Sequence, residues 1–199
     1  ALLAEAGLAK SQLDALAVGV GPGAFTGVRL AISLVQGIAL ALDRPVVPVS
    51  TLAALAQPFL ADGPVVAAID ARMGELYVGE FGSDAEGLPL AQAPEALLPV
   101  GAAAGALLAR WRAGDARRMG VGTGFAAEGG LWHGGLADRW ARVAPEALPT
   151  AVAVARIAAK GIDRGHAGVA PERLEPTYLR DKVALTAAEQ AAARAVKAG

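Results

Sequence analysis

Along residues 13–56 the spacing of apolar side chains shifts between two rhythms. Residues 13–20 (LDALAVGV) have an apolar centre and are stopped by Gly21-Pro22-Gly23, which predicts a short buried strand. The residues that follow are apolar on almost every side. They predict a helix with Thr26 as N-cap that runs to Leu42, with Pro45 just beyond its end. Residues 46–49 (VVPV) read as a second strand, and Ser50 caps a helix through Ala56 that Pro58 ends. Strand, helix, strand, helix in this order indicates α/β layering with parallel pairing. Ahead of it, residues 1–9 have helical spacing, weakened by Gly7.

Asp62-Gly63-Pro64 reads as a linker, and beyond it the pattern changes. VVAAID and LYVGEF are β-type runs separated by ARMGE, an antiparallel hairpin. Residues 101–111 have helical character, 118–121 read as a strand, and 149–162 as an alanine-rich helix. Residues 124–141, rich in glycine and holding Trp132 and Trp140, read mostly as loop. A last helix starts at Thr186, where Thr186 and Glu189 have the spacing of a capping box.

The helix at 26–42 carries its polar residues Arg29, Ser33 and Gln36 at i, i+4 and i+7, a narrow stripe. The rest is apolar, wider than the roughly 100° that one core-facing surface needs. Ser33, Gly37 and Ala41 align at i, i+4 and i+8, a smooth groove in which another helix can approach closely. Two explanations stand: a helix enclosed within its own domain, or one covered by a second, separate partner. Ser33 and Gln36 interrupt the run, so no window holds the roughly 18 consecutive apolar residues of a membrane span, and a soluble, cytoplasmic chain is expected.

Composition narrows the chemistry. The 199 residues, 54% hydrophobic, suffice for one large domain or two small ones. The absence of cysteine excludes disulfides, thiolate metal sites and a cysteine nucleophile. Eighteen basic residues face nineteen acidic ones, which argues against strong nucleic-acid binding by the chain alone. Gly19-x-Gly21-x-x-Ala24 loosely matches a dinucleotide fingerprint, but Pro22 removes a backbone donor and no Walker lysine follows. A tight strand-to-helix turn explains it as well. His133 and His166 are far apart and have no histidine partner at helical spacing. No G-x-S-x-G elbow is present. Asp70, Arg72 and Glu75 surround the expected hairpin turn as a local charge network, with a catalytic carboxylate pair as the alternative.

Four stretches, in order, carry a resemblance. GPGAFTGVRLAISLVQGIALAL, PVVPVSTLAALA, AIDARMGELYVGEF and PTYLRDKVALT resemble the bacterial TsaB/YeaZ family of tRNA threonylcarbamoyladenosine biosynthesis proteins, over residues 1 to about 186. The resemblance implies an α/β, actin-like and sugar-kinase-like (ASKHA) fold of two domains. Residues 1–60 would be the remainder of the first domain, 64–181 the second, and 186–199 a helix packing back on the first. Family members begin with a further β-hairpin and an Asp-Thr-Ser stretch that are absent here, so the first domain is expected to be incomplete at its N-terminus.

The catalytic sister family, the threonylcarbamoyltransferase TsaD, is similar through the glycine loop, helix and next strand, and then presents two histidines four apart as metal ligands. Aligned from Val49, those positions are Thr51 and Leu55, so no metal site and no catalytic residue is expected. The resemblance implies a non-catalytic subunit that binds TsaD, in a complex with a TsaE-type ATPase and a threonylcarbamoyl-adenylate synthase. It implies a homodimer when the chain is alone, and no cofactor of its own beyond a nucleotide at the shared interface. Arg29, Ser33, Gln36, Gly37, Leu40 and Ala41 are the expected partner interface, joined by the helix at 1–9. Gly21, Gly23 and Thr26 form the loop expected near a nucleotide. The competing expectation is an independent enzyme or nucleotide-binding protein of the same fold, including the older glycoprotease description.

Overall fold

A computed structural model describes residues 2–112, 114–127, 131 and 136–180. The helix expected from Thr186 and the pair Trp132–His133 lie outside these residues. The chain opens with a short helix, α1 (Leu2–Glu5), that buries no residue. β1 (Leu16–Gly19) and β2 (Val46–Val49) pair in parallel, with Leu16 opposite Val46 and Gly19 opposite Val49. They are joined by α2 (Phe25–Leu42). The helix starts one residue before Thr26, on Ala24, with no side-chain cap. Thr26 therefore lies inside the first turn. At the other end Asp43 takes a left-handed conformation (φ 52°) and its N–H closes on the carbonyls of Ala39 and Leu40.

α2 covers one face of this strand pair, where Val18, Val20, Ile32, Ala39, Val46 and Leu174 form a core. The other face holds Val47 and Val49 beneath Ala153 and Ala158 of α5 (Ala151–Asp163). Sequence order places α5 with the second unit; packing places it on the first sheet. Residues after α5 also return there, since Val169 and Val46 exchange backbone bonds of 2.8 and 2.9 Å.

α3 (Thr51–Ala56) follows β2 with Ser50 as its cap, whose hydroxyl accepts from the Ala53 N–H at 3.2 Å. Ala54 belongs to the α5-side cluster, while Leu52, Leu55 and Ala56 pack on the second sheet. α3 is thus the shared helix of the two units.

The second sheet is built on the expected hairpin, β3 (Val65–Arg72) and β4 (Glu75–Ser83), paired antiparallel. β5 (Pro89–Ala91) and β6 (Ala96–Pro99) share the outer edge of β4. α4 (Val100–Leu108) leads to β7 (Arg118–Val121), parallel to β3, and β8 (Trp140–Ala144) adds in parallel to β7. β8 takes only Trp140 and Ala141 from the run read mostly as loop, and the strand itself was not expected. Alternation divides β3 between two cores. Val65 and Ala67 face α3, whereas Val66 and Ala68 face α4, Trp111, Phe125 and Trp140.

Candidate functional site

α2 meets its sheet along a narrow strip. Ile32 and Ala39 are buried, with Val28, Ala31 and Val35 packed beside them. On the opposite side Leu30, Leu34, Ile38 and Leu40 are 59%, 59%, 48% and 60% exposed. At 3.6 residues per turn, Ser33, Gly37 and Ala41 run up the middle of this open face, between Leu40 and the Leu30–Leu34–Ile38 row. All three are exposed. A Cβ built on Gly37 meets nothing within 4 Å, so Gly37 faces away from the molecule's own sheet.

By length and composition α2 also passes for a membrane span, with 18 residues and a mean hydropathy of 1.7. Arg29, Ser33 and Gln36 interrupt the run, so its residues are not consecutively apolar. Its inner strip is nonetheless committed to β1 and β2.

Arg29 and Gln36, expected at the partner interface, make hydrogen bonds within their own chain. The Gln36 amide donates to the carbonyls of Pro171 and Leu174 at 2.9 and 3.2 Å. The Arg29 guanidinium donates to the Phe25 carbonyl at 3.1 Å and to the Tyr178 hydroxyl, and stacks over both rings. Ser33, Gly37, Leu40 and Ala41 remain as the outward part of the expected surface.

The glycine loop is tied down from behind. Gly21 N–H donates to Thr51 Oγ1 at 3.1 Å, and Thr51 N–H returns a bond to the Gly21 carbonyl at 2.8 Å. Gly21 has φ 105°, and a Cβ there would stand 3.1 Å from the Thr177 carbonyl, so the position needs glycine twice over. A phosphate would find this N–H already used. Thr26, on the first turn of α2, is exposed.

Between the units lie two adjoining cavities. One, of about 450 Å³, is walled by Gly19, Val28, Thr51, Leu55, Ile69 and Val154 among others, none of them charged. Thr51 and Leu55 share this wall, as their spacing predicts. The donor set does not fit a metal: the Thr51 hydroxyl oxygen is occupied by Gly21, and Leu55, 1% exposed, offers no ligand atom. Among the described residues no group of three His, Cys, Asp or Glu side chains converges elsewhere. His166 is exposed beyond the end of α5.

The second cavity, of about 360 Å³, includes Gly23, Arg29, Asp70, Arg72, Tyr178 and Arg180 in its lining. Here Asp70 and Arg72 form the expected local pair at 3.1 Å, while Glu75 is drawn away to Arg180 at 2.6 Å. Tyr178 and Arg180 were not legible as site residues, because residues 171–180 have no periodicity that signals an element.

Two further ties join the units. The Ser50 hydroxyl donates to Glu95, and burial pushes the Glu95 carboxyl up against the lowering pull of that bond. Asp84 accepts from the Leu88 and Glu86 N–H groups and pairs with Arg164 at 2.7 Å. The Leu88 N–H first, then Arg164, hold its carboxyl below the usual range.

Two α/β units about a shared cleft, each with a helix-covered sheet, make this an actin-like fold. The profile of the family described as TsaD, tRNA N6-adenosine threonylcarbamoyltransferase, matches residues 1–109. The tRNA threonylcarbamoyladenosine biosynthesis protein TsaB of Escherichia coli (strain K12) is 38% identical over 190 residues, covering 92% of this chain and 78% of that protein. TsaB of Haemophilus influenzae is 51% identical over 83 residues, 40% of this chain and 35% of that protein. A crystal structure from Pseudomonas aeruginosa, of an uncharacterized protein with similarity to peptidase YeaZ, superposes with a TM-score of 0.76 at 41% identity. It covers 90% of this chain and 79% of its own. The chain belongs to the TsaB/YeaZ family of tRNA threonylcarbamoyladenosine biosynthesis proteins.

Proposed function

We propose that this protein is the non-catalytic, activating subunit of the tRNA threonylcarbamoyladenosine machinery, and that it binds the catalytic paralogue TsaD through the outer face of α2. The observation that carries this is the row Leu30, Leu34, Ile38 with Leu40 across the small-residue groove, all of them about half exposed or more. Fully burying one such side chain is worth about 1.5–3 kcal/mol, so a solvated face of four is costly unless something covers it. Gly37 and Ala41 let a partner helix approach its backbone closely. The family profile that matches residues 1–109 supports a partner of the same fold, which can present an equivalent helix. In the absence of TsaD, two copies pair by the same face.

Catalysis is assigned to the partner because the positions of its metal ligands are a loop-tying threonine and a core leucine here. The nucleotide belongs to the shared interface, alongside the TsaE-type ATPase, since this chain's own glycine loop spends its Gly21 donor internally. The alternative of an independent enzyme or nucleotide-binding protein has both cavities in its favour as space. The larger is uncharged, however, and in the other Asp70 is paired with Arg72 and Arg180 with Glu75.

Gly37→Leu tests the docking face. The side chain enters open space in the monomer, and removing a helical glycine favours the helix by up to about 1 kcal/mol, so the melting temperature should hold or rise. Filling the groove at an ordinary overpacking cost of about 1–3 kcal/mol weakens TsaD binding roughly 5- to 150-fold by calorimetry. Unchanged affinity would remove α2 from the interface, and wild-type protein that fails to bind TsaD would remove the function.

A further inference from the structure

We propose that residues 171–180 are a strap that couples the tip of the β3–β4 hairpin to the first turns of α2, so that the docking face is set by contacts made at the hairpin. The strap touches the first unit at successive points. Gln36 holds the Pro171 and Leu174 carbonyls, Thr177 N–H donates to the Val20 carbonyl at 2.8 Å, and Tyr178 meets Arg29. Two residues later it reaches the second unit. Arg180 pairs with Glu75 at 2.6 Å, donates to the Ala71 carbonyl at 3.0 Å and reaches Met73 Sδ at 3.1 Å. One guanidinium therefore grips both sides of the bend.

The bend needs such a grip. Arg72 and Met73 have φ of 64° and 58°, left-handed values that side chains other than glycine rarely adopt, and Gly74 follows at 74°. The pairing shifts register between Asp70 and Arg72, next to the Ala71 carbonyl that Arg180 holds. Backbone of this kind persists where its surroundings over-determine it. Here the surroundings include Arg180, which follows two residues after Tyr178, the partner of Arg29 on α2. The two motifs with no role in docking, DARMGE and PTYLR, become the two halves of one contact.

The strap is tested on the isolated chain by hydrogen exchange, with Arg180→Gln and Tyr178→Phe. Tyr178 is 58% exposed, so losing its hydroxyl spares the fold, and melting temperatures monitor both variants. Each variant should speed exchange both at residues 71–76 and at amides 28–32 of α2, by about tenfold, as the loss of one charge-assisted bond predicts. Faster exchange confined to the side of the substitution would make the contacts merely local and overturn the coupling. A second arm rests on the proposed docking to TsaD: Arg180→Gln, away from the α2 face, should weaken binding several-fold. Equal affinity for variant and wild type would overturn the claim that the strap sets the face. Wild type that does not bind at all defeats the docking proposal, while the exchange arm still decides the strap.

Discussion

Glu80 is the charged side chain that the described core takes in, 8% exposed on β4. Its two oxygens are divided between neighbours: Arg110 bonds one at 2.6 and 2.7 Å, and the Trp111 indole N–H donates to the other at 2.6 Å. Removing the carboxylate strands the buried indole donor, so Glu80→Ala should cost about 1–3 kcal/mol in urea unfolding. Glu80→Gln keeps an acceptor and should cost less; equal losses would mean that packing, not the bonds, is at stake. Glu95 behaves in the opposite sense. Burial raises its folded value above the unfolded one, so the folded state holds the proton more tightly. Stability from this group is complete below the unfolded value and is lost as pH rises through the folded one. Glu95→Gln keeps an acceptor for Ser50 without the charge. It should melt higher than wild type at neutral pH, with the gap closing below about pH 4; a gap that persists in acid would point elsewhere.

The elements differ in how far the sequence reveals them. α2, β2, α3, the β3–β4 hairpin, β7 and α5 each have apolar residues at their own period, and the structure has them within a few residues. β5 and β6 are short and contain proline, and β8 sits at the end of a glycine-rich run, so their pairing is dictated by neighbours rather than by local pattern. Thr26 has the chemistry of a cap, yet the turn through Pro22 and Gly23 starts α2 at Phe25. The outward side of α2 was legible because its apolar arc exceeds what one sheet can cover. The turn of Arg29 and Gln36 toward residues 171–178 was not, since their partners lie more than a hundred positions away. α3 shows the same dependence on context. Its Leu55 is packed against Gly122, where a Cβ would come within 2.6 Å of Leu55 Cδ2. Leu55→Ala should therefore cost about 2–5 kcal/mol. A loss below 1 kcal/mol on denaturant titration would show that this position is not part of the core joining the units.

Over the whole molecule, the charge balance sets how strongly the isolated chain can attract a nucleic acid. The two basic clusters, residues 110–118 and 171–180, are the segments that a phosphate backbone would seek. In the folded chain three of their six arginines are committed to carboxylates. Arg110 serves Glu80, Arg118 pairs with Asp115 at 3.3 Å and lies over the Trp111 ring, and Arg180 serves Glu75. Arg164 and Lys160 meet Asp84, Glu86 and Asp163 in the same way. With eighteen basic and nineteen acidic residues, no surplus field is left to attract an anion from a distance. Each phosphate neutralised on a duplex adds about −0.9 to the slope of log affinity against log salt. A chain that neutralises one or two phosphates should show a slope no steeper than about −2 in a filter-binding titration. A steep slope with tight binding by the isolated protein would place tRNA recognition on this subunit. A shallow slope would instead fit the proposed role, in which the partner recognises the tRNA and this chain presents the outer face of α2.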